Sequence, residues 1–236
     1  MDCGIAGRRA LVTGASRGLG RGCAEALAAE GAALPIAARG AEALEEAAAA
    51  IRAAHGVPVT AVAADVATEA GRAAILAAAG AVDILVTNAG GPPPGRWDAL
   101  GPAEMQAALD ASMLAPVALM RAVLPGMCAR GWGRVVNVTS SAVRAPARAL
   151  GLSTAARMGL TGWVAGTARE VAARGVAINN LLPGSHETAR ILALDRDEAG
   201  REGTTPEAVR ARAMAAIPAG RYGDPAEFGA VCAFLC

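Results

Sequence analysis

Short apolar runs alternate with longer stretches in which alanine, leucine and isoleucine recur at helical spacing, and the alternation holds along the chain. The short runs, 10–13, 32–38, 57–64, 82–86, 134–139 and 176–182, are apolar on both faces. That is the pattern of parallel strands covered on both sides. The longer stretches predict helices over 19–30, which Gly31 closes, over 41–55 and 70–79, from Pro102, around Arg121, and over 153–173. A strict strand–helix order predicts an α/β fold: one doubly wound, Rossmann-like parallel sheet with helices on both faces, as a single domain over 1–236. Pro35 sits inside the second run without an amide proton, so either that strand is short or this position faces away from a ladder bond.

Two loops stand out in this pattern. Thr13-Gly14-Ala15-Ser16-Arg17-Gly18-Leu19-Gly20 joins the first strand to the first helix, where glycines let a pyrophosphate approach the backbone and the helix N-terminus. The GGPPPG segment, 90–95, cannot be helical and predicts a stiff loop at the carboxyl end of the fourth strand, where ligands bind in such sheets. Asp65-Val66 and Asn88-Ala89-Gly90 end the third and fourth strands on the same rim.

Composition narrows the chemistry. The chain has 236 residues, 54% of them hydrophobic, and a formal net charge of +1, which leaves no field strong enough to hold nucleic acid or an anionic membrane and points to a small-molecule substrate. All 22 basic residues counted as Lys+Arg are arginine. The absence of lysine excludes Schiff-base chemistry and any phosphate loop that needs a lysine. Five cysteines, odd in number and without CxxC spacing, argue against a disulfide framework or a zinc site, so no metal is expected and the thiols read as buried in a reducing compartment. With no room for a signal peptide before the first strand and no long uninterrupted apolar run, the expected location is cytoplasmic and not in a membrane.

Together with Gly133 to Ser140 (GRVVNVTS), Asn179, Pro183-Gly184, Thr188 and Gly220-Arg221-Tyr222-Gly223-Asp224-Pro225, these motifs resemble the short-chain dehydrogenase/reductase superfamily over nearly the whole chain. Within it the sequence resembles the β-ketoacyl carrier-protein reductases, in a branch with an atypical active site. The resemblance implies a cofactor site of Gly14, Ser16, Arg17, Gly18, Leu19, Gly20, Arg39, Asp65, Val66, Asn88, Ala89, Gly90, Arg157, Pro183, Gly184 and Thr188. Arg17 and Arg39, with no acid at the end of the second strand, suit a 2′-phosphate, so NADP is favoured while NAD stays possible; as solvated surface charges they would discriminate nothing.

At the catalytic positions the resemblance breaks. Counting from the family serine at Ser140, the tyrosine and lysine positions hold Ser153 and Arg157, and the asparagine position holds Ser112. A phenol near pKa 10 can be tuned into a proton donor, whereas a serine hydroxyl cannot without a partner base. Arg157 can grip ribose hydroxyls but stays charged. His186 is either a loop histidine or an acid–base group, and Tyr222 reads as a packing residue. Arg144 and Arg148 either receive an anionic group or are solvated. The implied activity is hydride transfer between NADP(H) and a carbonyl or enoyl substrate at a degenerate site; the alternative is a catalytically silent nucleotide-binding relative acting as partner subunit, sensor or scaffold. Helices 102–130 and 153–173 resemble those through which the family forms dimers and tetramers, so a homo-oligomer, or a hetero-oligomer with an active relative, is implied. The family's final strand has no counterpart before Cys236, so either the sequence is a trimmed piece or the sheet has one strand fewer and an edge needing cover.

Overall fold

A computed structural model describes residues 2–236; Met1, counted in the expected domain, lies outside the described residues. Six strands form one parallel sheet: β1 (Ala10–Thr13), β2 (Leu34–Ala38), β3 (Val59–Ala63), β4 (Ile84–Thr87), β5 (Gly133–Val138) and β6 (Val176–Leu181). Their order is β3-β2-β1-β4-β5-β6. The chain winds outward from β1 to β3, crosses back, and winds the other way from β4, so the carboxyl ends of β1 and β4 open the crevice at the topological switch point.

Side-chain alternation along each strand builds two cores. Ala10, Val12, Ile84, Val86, Val136 and Val138 face one side with Leu27 of α1 (Gly18–Ala29), Leu44 of α2 (Ala41–His55) and Phe228 of α9 (Pro225–Phe234). Leu11, Leu85 and Val135 face the other with Ile75 of α3 (Glu69–Ala79), Leu119 and Met120 of α5 (Ala115–Ala129) and Leu160 of α6 (Gly151–Ala172). This explains why the strands read as apolar on both faces: each side chain enters a core, and complete burial of one such leucine stabilises the fold by about 2 kcal/mol.

Three expectations are corrected. β2 starts at Leu34 and runs through Pro35 as an interior strand, paired to both β1 and β3. Ala33 N donates to Arg8 O and Ala15 N donates to Ala37 O, so alternation turns the Pro35 nitrogen toward β1; the sheet tolerates one missing ladder bond there. The two helices expected near Pro102 and Arg121 are one continuous run, in which α4 (Pro102–Leu109) passes into α5 through a π-helical turn, Asp110–Leu114. By length and composition this run could cross a bilayer, and 44% of its most apolar window is buried inside the fold. All five thiols are free, but only Cys23, Cys232 and Cys236 are buried. β6 forms an edge of the sheet, and α7 (Ala189–Glu202) and α8 (Pro206–Ala215) follow it.

Candidate active site

The turn after β1 is fixed by close backbone approach. Gly14 has φ +62°, and a Cβ there would lie 2.7 Å from Asn88 Nδ2; a Cβ on Gly20 would lie 2.2 Å from the Gly14 carbonyl. Asn88 completes the set, its Nδ2 donating to Gly14 O (3.2 Å) while its backbone N–H donates to Thr13 Oγ1 (2.9 Å) and its carbonyl accepts from that hydroxyl (2.8 Å). Thr13 and Asn88 thus clamp the ends of β1 and β4 together. Behind the turn α1 begins at Arg17 with no side-chain cap and no acid in its first turn. Its first amides and the positive end of its dipole therefore have no competing anion from the chain, which suits a pyrophosphate.

The remaining residues expected at the cofactor lie on the same rim. Ser16, Gly18 and Leu19 are half-buried, and Arg17 and Arg39 are exposed without an ion pair among the described residues. Arg39 Nη2 lies 3.9 Å from where a Cβ on Gly90 would stand, so its guanidinium reaches across the end of β1 toward β4. Asp65 turns its carboxylate into its own loop, accepting from Ala67 N (2.9 Å), and Val66 lines a small cavity with Thr13, Asn88 and Ala89. Thr188 caps α7, its Oγ1 accepting from Ile191 N (3.3 Å), while its methyl carbon lies 3.3 Å from the Cβ position of Gly18. The carbonyl of Pro183, next to half-exposed Gly184, accepts from Ser141 N (2.9 Å) and ties the segments after β5 and β6 together.

At the other end of the crevice Arg157 is 7% exposed. Its Nη1 donates to Val138 O (2.5 Å), at the end of β5, and its Nε to Ser153 Oγ (3.2 Å) one helical turn back. No carboxylate pairs with it among the described residues. Burial, then the like charge of Arg190, pull the guanidinium down to about 10, so it stays charged at neutral pH. Ser112, in the π-helical turn, is buried and its Oγ has no hydrogen-bond partner. With Arg157, Thr87, Asn88 and Ala89 it lines a cavity of about 10 Å³, the size of one water molecule. Ser140 is half-buried at the end of β5, its Oγ accepting from Ala142 N (3.1 Å). Ser112 and Arg157 therefore share one cavity, and Ser153 joins them through Arg157.

Other candidates lie elsewhere. Tyr222 packs in the core under the segment after β6, its hydroxyl on buried Asp195 (3.2 Å), and burial with that carboxylate pushes the phenol up to about 12. The His186 ring sits edge-on to Phe228, and its segment pairs with Gly223, on the α9 side. Arg144 and Arg148 are exposed and carry no ion pair among the described residues. Sequence reasoning missed Asp195, the Thr87–Asn137–Asn180 hydrogen-bond chain beneath the site, and Arg190, whose Nη2 donates to Pro92 O (2.6 Å) in the GGPPPG loop. A cation two residues past the expected Thr188 was the only signal for the last.

A doubly wound parallel sheet, with a glycine turn and an open helix N-terminus at its switch point, defines a dinucleotide-binding α/β protein. The model of the short chain dehydrogenase family matches residues 8–199, and the chain belongs to that family, one of NAD(P)-dependent oxidoreductases. It is 34% identical over 235 residues to a 3-oxoacyl-[acyl-carrier-protein] reductase of Vibrio harveyi, covering 98% of this chain and 90% of that one. To the D-beta-hydroxybutyrate dehydrogenase of Cupriavidus necator it is 34% identical over 242 residues, 97% of this chain and 90% of the relative. Among solved structures, L-sorbose reductase from Gluconobacter frateurii, complexed with NADPH and L-sorbose, superimposes with a TM-score of 0.93 at 30% identity, over 100% of this chain and 92% of that chain.

Proposed function

We propose that the protein is an NADP-dependent reductase that adds hydride to a carbonyl or enoyl carbon at a site where Ser153 and Arg157 stand in the family's tyrosine and lysine positions. The observation that carries this is buried Arg157, held by Val138 O and Ser153 Oγ and lining one cavity with Thr87, Asn88 and Ala89 at the end of β4. NADP(H), when bound, supplies the hydride. The α1 amides, with Gly14, Ser16, Gly18, Leu19 and Gly20, would receive the pyrophosphate, and Arg17 and Arg39 would hold the 2′-phosphate. Asp65, Val66, Asn88, Ala89 and Gly90 line the adenosine side; Pro183, Gly184 and Thr188 flank the nicotinamide. An NADPH-bound structural relative supports the same cofactor here.

Arg157 grips the ribose and contributes fixed positive charge. Ser153 Oγ accepts from Arg157, which leaves its O–H free to hydrogen-bond to a substrate oxygen without giving up the proton; Ser140 is its partner in polarising that oxygen, and Ser112 lines the same cavity as Arg157. Reduction of a carbonyl places hydride on carbon and a proton on oxygen. Water supplies that proton, because serine and arginine do not release one near neutral pH. Calorimetric titration tests the reading: NADPH is expected to bind at least tenfold tighter than NADH, and binding of neither removes it.

The position of Tyr222 favours a second reading, a catalytically silent relative that keeps the nucleotide and serves as subunit, sensor or scaffold. The only phenol is tied to Asp195 and is no proton donor. Single-turnover oxidation of bound NADPH by any carbonyl or enoyl compound would eliminate this reading. A homo-oligomer, dimer or tetramer, is supported by exposed Met105, Leu114 and Met158 on α4, the π-helical turn and α6; light scattering showing a monomer at micromolar concentration would refute it.

A further inference from the structure

The catalytic end of the crevice carries more positive charge than the chain balances. Arg157 is nine-tenths buried and bonds only to neutral acceptors, Val138 O and Ser153 Oγ. Arg190 is half-buried in the first turn of α7, a turn without an acidic residue, where the helix dipole opposes a cation. Its one side-chain hydrogen bond, Nη2 to Pro92 O at 2.6 Å, again goes to a neutral acceptor, and its guanidinium lies 3.2 Å from where a Cβ on Gly91 would stand. Asp197, the carboxylate that acts on Arg190 at longer range, is itself paired with Arg201 (3.0 Å). Two guanidiniums thus bracket residues 88–92, Arg157 beneath Asn88 and Ala89 and Arg190 against Gly91 and Pro92. On α7 and α8, Arg201 is paired with Asp197, Arg210 with Glu187 and Arg212 with Glu198 and Glu202. Burying charge without a counter-ion costs several kcal/mol, and a ligand anion recovers that cost.

We propose that Arg190, backed by Arg157, recognises a carboxylate on the substrate, so that the molecule reduced is a small oxo or enoyl acid and not a neutral ketone. The dinucleotide's phosphates would have partners of their own in the α1 N-terminus, Arg17 and Arg39, the last of which lies against Gly90. A planar monoanion presented from the open side of the 88–92 segment suits this pair, because a guanidinium matches a carboxylate in charge and shape. The carboxylate sets the substrate class and Arg190 the specificity; the inference rests on the reductase reading above.

The test separates the two. 2-Oxobutanoate and acetoacetate are titrated calorimetrically against their neutral methyl esters, with the protein alone and saturated with NADP+, in wild type, Arg190→Gln, Arg190→Lys and Arg144→Gln. The acids are expected to bind at least tenfold tighter than the esters in wild type and in Arg144→Gln. Arg190→Gln should bring acid and ester within about twofold while NADP+ affinity stays within about threefold, and Arg190→Lys, which keeps the charge but not the fork, should fall between. Equal binding of acid and ester in wild type, an undiminished preference in Arg190→Gln, or loss of the preference in Arg144→Gln overturns the proposal. So does a tenfold loss of NADP+ affinity in Arg190→Gln, which would give Arg190 to the nucleotide phosphates. If no dinucleotide binds, the reductase reading falls, while the acid–ester comparison on the protein alone still decides the anion site.

Discussion

The two ends of the crevice, the proposed phosphate end and the proposed catalytic end, are built on opposite principles. At the phosphate end Gly14, Gly20, Thr13 and Asn88 are locked to one another, and their polar atoms meet within the chain. At the catalytic end, among the described residues, Ser112 Oγ is buried without a partner and Arg157 is a buried cation without an anion. An unsatisfied buried polar group costs about 1–3 kcal/mol, which a ligand that reaches Ser112 and Arg157 would recover. The difference teaches where tolerance lies. The phosphate end is over-determined by packing, and the catalytic end is under-determined until something binds.

The largest effect tests the first half of that contrast. Gly20→Ala drives a methyl into the Gly14 carbonyl, a backbone atom that cannot swing aside. We expect a loss of about 3 kcal/mol in denaturant unfolding and of nucleotide binding with it. An alanine variant that unfolds at the wild-type midpoint would break the claim that the turn is locked.

Next in size is Tyr222→Phe. Removing the hydroxyl leaves the buried Asp195 carboxylate without that donor and should cost about 2 kcal/mol of stability. Hydride transfer measured by stopped-flow should not change, because the phenol is not at the catalytic end. A large fall in rate with unchanged stability would return Tyr222 to the chemistry.

This split also marks how far the sequence could be read. The glycine turn was legible because the strand, the spacing and the helix that follows are all local, and close backbone approach admits no other residue at Gly20. The strand runs were legible because both faces are buried, so apolar residues are continuous there. The π-helical turn was not: one extra residue per turn between Asp110 and Leu114 leaves no compositional trace, yet it helps place Ser112 on the Arg157 cavity. Nor was Arg190, whose partner Pro92 is 98 residues away and whose significance comes from the acid that is missing around it. Pro35 misled because a strand can lose one ladder bond and still pair on both sides.

Arg157→Met sharpens the comparison further. At the phosphate end stability and affinity should fall together, whereas here they should separate. Nucleotide affinity is expected to drop about tenfold, or 1.4 kcal/mol, by calorimetry. Unfolding free energy should change by less than about 1 kcal/mol, because removal of an uncompensated buried charge offsets the lost bond to Val138 O. A parallel loss of several kcal/mol would mean that Arg157 is structural in the way Gly20 is.

The smallest effect is a pH response confined to the support of the phosphate end. Helix α9 lies against α1 so closely that a Cβ on Gly229 would stand 2.2 Å from Gly22 O, and its first turn is held by Glu227. That carboxylate accepts from Asp224 N (2.8 Å) and from both Arg221 Nη atoms (2.9 and 2.6 Å), which hold it down at about 2, chiefly through Arg221. A depressed folded-state value means that Glu227 stabilises the cap above its ordinary range near 4.3 and ceases to do so as pH falls from about 5 toward 2. Because Glu227 is exposed, solvent screens much of this, and the response should be local fraying and not global unfolding. Hydrogen exchange, corrected for the intrinsic pH dependence, should show the amides of 224–228 losing protection across that window while those of 153–157 hold, since no carboxylate supports Arg157. Equal loss at both ends would erase the distinction between a packed phosphate end with its own acid-sensitive brace and a catalytic end that depends on a ligand.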